Sequence, residues 1–173
     1  AAQFYQVAIG GAHIAHGLTP GLDISRADKA RARLDGKANY NVIIACNNKP
    51  DLGHWELKTD RGTGAFGLYI PGRGGEFPTG RVVTDGKWHD YVAAIGKERV
   101  RVWIDGELVL DKPIAAEKVR PAAAEEKLAF GRLVDGTVGC DGLVDDVRLS
   151  RGEIPPEKSA QPMPRLKRDQ DTL

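Results

Sequence analysis

Between Trp88 and Leu110 apolar and polar residues alternate around short turns, and that period constrains the fold more than any other stretch of the chain. Trp88–Ile95 follows an Asp85-Gly86 turn. After Gly96-Lys97-Glu98 the chain resumes as Arg99–Ile104, which puts Val100, Val102 and Ile104 on one face and Arg99, Arg101 and Trp103 on the other. Side chains that repeat every second residue mark a half-buried strand. Asp105-Gly106 favours positive φ at both central positions and so predicts a type I′ hairpin, returning through Leu108 and Leu110.

The same logic extends along the chain. Residues 4–9, 12–15 and 22–24, separated by glycines and a proline, read as short edge strands. Residues 29–34 alternate, with Ala30, Ala32 and Leu34 opposite Arg31 and Arg33. Residues 40–47 are apolar at both parities, which requires a cover on each face. Residues 54–59 set Trp55 and Leu57 against His54, Glu56 and Lys58, and Ala65–Ile70 is a further strand. Residues 71–80, rich in glycine and proline, read as the longest irregular loop, and 111–126 as a surface connection broken by Pro113 and Pro121. Residues 128–134 and 142–149 complete the pattern. Five Asp-Gly pairs between alternating segments predict an all-β antiparallel architecture rather than α/β. Residues 1–152 form one domain, and 153–173, with clustered prolines and charges, a linker or tail that suggests excision from a longer polypeptide.

Gly86-x-Trp88-His89, the run Val100-Arg-Val-Trp-Ile-Asp-Gly-Glu-Leu-Val109, Phe130-Gly131-Arg132, and Gly142-Leu-Val-Asp-Asp-Val-Arg-Leu149 resemble laminin-G-like (concanavalin A-like) jelly-roll domains, whose closing strand usually reads Gly-x-Ile-Asp-Glu/Asp-Val-Arg. The resemblance implies an all-β, two-sheet antiparallel β-sandwich of the jelly-roll type, a secreted or periplasmic setting, and calcium at one rim as the possible cofactor. Any export signal is then removed or lies outside the sequence. Oxygen donors for calcium are Asp135, Asp141, Asn48 and Asp51, each of which is also an ordinary turn former. Cys46 and Cys140 are either one long-range disulfide or two small core residues, and the resemblance to secreted proteins favours the former.

The same fold includes glycosidases, so paired carboxylates matter. No Glu-x-Asp-x-Glu triplet is present, and Asp145-Asp146 are adjacent and point to opposite faces. Asp145 shares parity with Leu143, Val147 and Leu149 and faces the core unless a bulge intervenes. The four histidines lack helical zinc spacing, His13 and His16 being three apart in a loop, and no nucleophile elbow occurs. With 25 basic and 24 acidic residues there is no field to draw in nucleic acid, and no apolar run approaches the roughly 20 residues of a membrane span.

Sugar sites are marked by exposed aromatics. Trp103, flanked by Arg99 and Arg101, is the leading candidate unless it is covered, followed by Tyr69, Trp55 and His54. The expected function is a non-catalytic recognition module, binding carbohydrate or glycan, of a larger secreted or periplasmic bacterial protein. The alternatives are a structural docking domain packed on a parent enzyme or partner subunit, with no ligand of its own, and an enzyme whose carboxylates come from different strands.

Overall fold

The computed structural model describes residues 4–7, 14–15, 26–116 and 127–151, with side chains for 29–116 and 127–149. Among the described residues twelve strands run in chain order: β1 Phe4–Val7, β2 Ile14–Ala15, β3 Arg26–Leu34, β4 Val42–Cys46, β5 Trp55–Thr59, β6 Ala65–Ile70, β7 Gly75–Val82, β8 Trp88–Ile95, β9 Arg99–Ile104, β10 Glu107–Pro113, β11 Leu128–Phe130 and β12 Gly142–Arg151. They form two six-stranded sheets, sheet I in the order β1-β12-β3-β8-β9-β10 and sheet II in the order β2-β11-β4-β5-β6-β7. Every pairing is antiparallel. The all-β, two-sheet sandwich expected from the sequence is therefore the fold.

Alternation builds the core between the sheets. Ala30, Ala32 and Leu34, Tyr91, Ala93 and Ile95, and Val100, Val102 and Ile104 point inward from sheet I. Trp55 and Leu57, Phe66 and Leu68, and Phe130 point inward from sheet II. Phe66 stacks on Tyr91 across the gap at 4.7 Å between ring centroids, so the two sheets share one apolar interior. At the central hairpin Asp105 and Gly106 have φ of 52° and 82°, and Glu107 faces Ile104, as a two-residue primed turn requires.

Three local expectations fail for physical reasons. Residues 71–80 are not an irregular loop but a 3-10 turn, Pro71–Arg73, followed by β7. Glycine and proline hide the strand, yet β7 is an edge strand paired with β6, a place where proline is tolerated. Strand β10 continues past Leu110 to Pro113, again along an edge. In β12 the register shifts between Asp145 and Arg148, and Asp146 takes φ of 47°. That bulge reverses the parity: Val144 and Val147 pack on the core, whereas Leu143 is 49% exposed. Asp145, of the same parity as Leu143 and ahead of the bulge, thus lies on the outer side and accepts the Asp146 N–H at 2.9 Å.

Of the short N-terminal pieces, β1 and β2 lie at sheet edges as expected, while residues 22–24, His13, His16, residues 117–126 and the 153–173 tail fall outside the described residues. The doubly apolar strand β4 gains its second cover from the segment after β11. Leu133 and Val138 pack on Val42 and Ala45, and Gly131 N–H donates to the Ile43 carbonyl at 2.9 Å. Arg73 ties the sheets together, its guanidinium donating to the carbonyls of Ala115, Gly96 and Lys97 at 3.0, 2.8 and 2.6 Å.

Candidate functional site

Register, rather than sequence spacing, assembles a groove on the outer face of sheet II. Because Trp55 and Leu57 fill the core, His54, Glu56 and Lys58 must point outward, and because Phe66 and Leu68 do the same on β6, Gly67 and Tyr69 face out. Glu56 lies opposite Tyr69, and Tyr69 opposite Glu76, giving one row across β5, β6 and β7. The next row is Lys58, Gly67 and Pro78. Gly67 carries no side chain, and the β7 backbone comes close to it, the Phe77 carbonyl oxygen lying 3.2 Å from where a Cβ would sit. Tyr40, Lys49, Leu133 and Val138 wall the resulting groove, whose volume is about 230 Å³.

The polar groups of this groove are paired and held. Glu56, only 2% exposed, takes His54 Nε2 at 2.7 Å and Lys49 Nζ at 3.6 Å on the same oxygen. The His54 ring meets Tyr69 edge-on at 5.8 Å. Lys58 Nζ lies 3.0 Å from Asp60, 3.2 Å from Glu76 and 5.0 Å from the centre of the Tyr40 ring. Burial alone would lower the Lys58 pKa, but its bonds to Asp60 and Glu76 raise it above the ordinary lysine value. Tyr40 itself is 43% exposed. A second cavity of about 570 Å³ opens at the rim, lined in part by Gly36, Asn39, Arg61, Thr137 and Asp141 and again by Tyr40 and Val138.

The sequence candidates divide between the two sheets. Tyr69 lines the groove and meets the buried ring of His54 edge-on; Trp103, Arg99 and Arg101 lie on the outer face of sheet I. Trp103 is not the exposed platform that its parity suggested. It is 5% exposed and packs with Val92 and Ala94, so pointing away from the main core does not mean facing water here. Arg99 and Arg101 converge instead on Asp111 of the neighbouring strand, with Nε to Oδ1 distances of 2.7 and 3.4 Å. Trp55 belongs to the core. Tyr40, Lys49, Glu56, Lys58 and Glu76 were missed by sequence reasoning. The available signal was a glycine, Gly67, inside a strand, which marks a gap or a close approach.

The proposed calcium donors serve their own turns. Asp135 accepts the backbone N–H of Thr137 at 2.9 Å and its hydroxyl at 2.7 Å, which lowers its pKa. Asp51 accepts the Gly53 N–H at 2.7 Å, the Asn48 carbonyl accepts the Asp51 N–H at 2.9 Å, and Asp141 borders the rim cavity. Among the described residues no three His, Cys, Asp or Glu side chains are placed to hold a metal ion. Cys46 and Cys140 are thiols, not a disulfide. Cys46 pairs with Leu128, whereas Cys140 bonds Gly131, which bonds Ile43. Three strand residues, about 10 Å, therefore separate the two sites, beyond the ~7 Å that a disulfide spans. Both are the small residues packed on the core that the other sequence reading allowed.

Two six-stranded antiparallel sheets around one core, with a polar groove on an outer face, define a jelly-roll sandwich of the lectin-like class. The chain belongs to the concanavalin A-like lectin/glucanases superfamily, through the Laminin_G_3 family, whose model matches residues 29–158. No curated protein sequence matches the chain significantly. Among solved structures it is similar to domain 4 of AbnA, a GH43 extracellular arabinanase from Geobacillus stearothermophilus in complex with arabinotriose, at 14% identity over 91% of this chain and 86% of that one, TM-score 0.62. The CBM40 of Ruminococcus gnavus IT-sialidase is 11% identical over 80% and 82%, TM-score 0.64. Domains LG4-5 of the mouse laminin alpha1 chain are 15% identical over 87% of this chain and 44% of that one, TM-score 0.57. At such identities the likeness establishes the fold.

Proposed function

We propose that the chain is a non-catalytic carbohydrate-recognition module of a larger secreted bacterial protein, and that the groove on sheet II holds the sugar. The observation that carries this reading is the groove's make-up: Tyr40 and Tyr69 line it together with carboxylate and ammonium groups that already neutralise one another. Such a surface offers ring faces and both donors and acceptors without net charge, which suits a polyhydroxylated ligand. The AbnA domain, described with arabinotriose, and the sialidase CBM40 lend this reading support from fold neighbours.

Hydrolysis fits the same geometry less well. Glu56 and Glu76 do share a row with Tyr69 between them, the non-local pairing that spacing could not reveal. Glycoside hydrolysis needs one carboxyl that keeps its proton. Here Glu56 is held by His54 and Lys49, and Glu76 by Lys58, so each carboxyl is already engaged within the chain. The docking alternative loses its two motivating features, since β4 is covered by Leu133 and Val138 and Trp103 is buried within the chain's own surface.

The test is a broad glycan array probed with the purified chain, in calcium and again in EDTA. Saturable binding that survives EDTA and disappears in Tyr69→Ala is the expected result. Silence on the whole array from a chain that is folded by circular dichroism overturns the proposal, and release of reducing sugar from any bound glycan overturns its non-catalytic part.

A further inference from the structure

Resting on the sugar-binding reading, we infer that the ligand is a chain of several sugar units laid from the sheet II groove across Tyr40 into the rim cavity, rather than a single sugar or a chain end. Size gives the first support: at about 230 Å³ the groove alone falls short of the ~300–1,000 Å³ of an ordinary small-molecule site, and the room it lacks lies beside it, in the cavity of about 570 Å³. The two spaces are neighbours by construction, because Tyr40 and Val138 line both. Tyr40 is the divider, 43% exposed and with one side of its surroundings fixed by Lys58 at 5.0 Å from the ring centre. A ring so placed is a saddle over which an extended ligand can bend.

The chemistry of the two compartments differs in a way that fits successive sugars. Groove groups are already engaged with one another: Lys49 with Glu56, and Lys58 with Glu76 and Asp60. At the rim, the Asn41 side chain is committed to the fold, donating to the Gly36 carbonyl at 2.7 Å and accepting the Asp141 N–H at 2.7 Å. The side chains of Asn39 and Arg61 and the carboxylate of Asp141 line the same cavity and make no hydrogen bond or ion pair among the described residues. They supply amide, guanidinium and carboxylate positions for hydroxyls of the units beyond Tyr40.

Titration calorimetry on the full chain with linear arabino-, xylo- and cello-oligosaccharides of one to six units tests the inference. In whichever series binds, affinity is expected to rise about tenfold between two and four units, the worth of one added hydrogen bond to a charged group, and then to level off. Arg61→Ala, an exposed change, is expected to abolish that rise, so that four units bind no better than two. Equal affinity for two and for four or more units, or a rise that Arg61→Ala leaves intact, overturns the extended site while leaving a sugar groove standing. Absence of binding in all three series and on the array removes the groove reading and this inference with it.

Discussion

His54 Nε2 lies 2.7 Å from Glu56 Oε1, and both side chains are all but withdrawn from solvent on the outer face of a sheet. The other ring nitrogen, Nδ1, faces only acceptors, the carbonyls of Cys46 at 2.8 Å and Asn47 at 3.0 Å, so it must carry a proton. A second proton on Nε2, shared with the carboxylate, completes an imidazolium–carboxylate pair. Burial by itself would lower the His54 pKa, but the hydrogen bond and charge of Glu56 and the two carbonyls outweigh it and raise the value. The same opposition raises His89, where Asp105 and Asp85 outweigh burial. A raised histidine pKa contributes stability that is fully present below the unfolded value of about 6.5 and lost as pH climbs through the folded value. Urea midpoints are therefore expected to fall between pH about 6 and about 9, less so in His54→Gln, and hardly at all in His54→Gln/His89→Gln. A wild-type midpoint that is flat or rising over that range contradicts the paired imidazolium.

Arg73 is expected to behave as a structural bolt. Its three guanidinium bonds run from the turn after β6 to the β8–β9 turn and to the stretch beyond β10, joining parts far apart in sequence. Arg73→Ala strands the three carbonyls, of which Gly96 is buried, and is expected to cost about 2–3 kcal/mol in chemical denaturation. Arg73→Lys is expected to recover only part of this, because an ammonium cannot reproduce the planar fork. Equal stability of Arg73→Ala and wild type removes the bolt.

How much of this was legible follows from where the information sits. The β9–β10 hairpin was readable because period two and Asp105-Gly106 are local signals. The groove was not, because Glu56, Tyr69 and Glu76 become a row only once three strands have taken register, and nothing in their spacing encodes that. Asp145 misled because one bulge residue reverses parity for everything after it. Strand β7 was hidden by residues that read as loop but are tolerated on an edge.

The bulged strand β12 also explains its own leading glycine. Gly142 has φ of 151°, and a Cβ there would overlap the Arg33 carbonyl oxygen and sit 2.9 Å from Leu34 Cα, both backbone of the paired strand β3. Gly62, with φ of 83°, has open space where a Cβ would go. Gly62→Ala is expected to cost only the left-handed penalty, about 1–2 kcal/mol. Gly142→Ala adds a backbone collision and is expected to cost clearly more, read from paired urea curves. Matching losses at the two positions refute the collision.

Trp103 and Tyr69 offer the sharpest contrast, because the sequence put Trp103 first among candidate exposed aromatics and the structure buries it. Trp103, beneath the surface of sheet I with Val92 and Ala94, is a packing residue. Trp103→Ala is expected to lose about 3–5 kcal/mol of stability, with Trp103→Phe losing less, while whatever fraction stays folded keeps its sugar affinity. Tyr69 stands half-buried in the groove and closes over His54, so Tyr69→Ala is expected to change stability little and to abolish binding on the array. The two variants should therefore separate along two axes, melting temperature and glycan affinity. If Trp103→Phe remains fully folded yet loses the glycan, the binding face is sheet I, and the groove on sheet II is only a surface of paired charges.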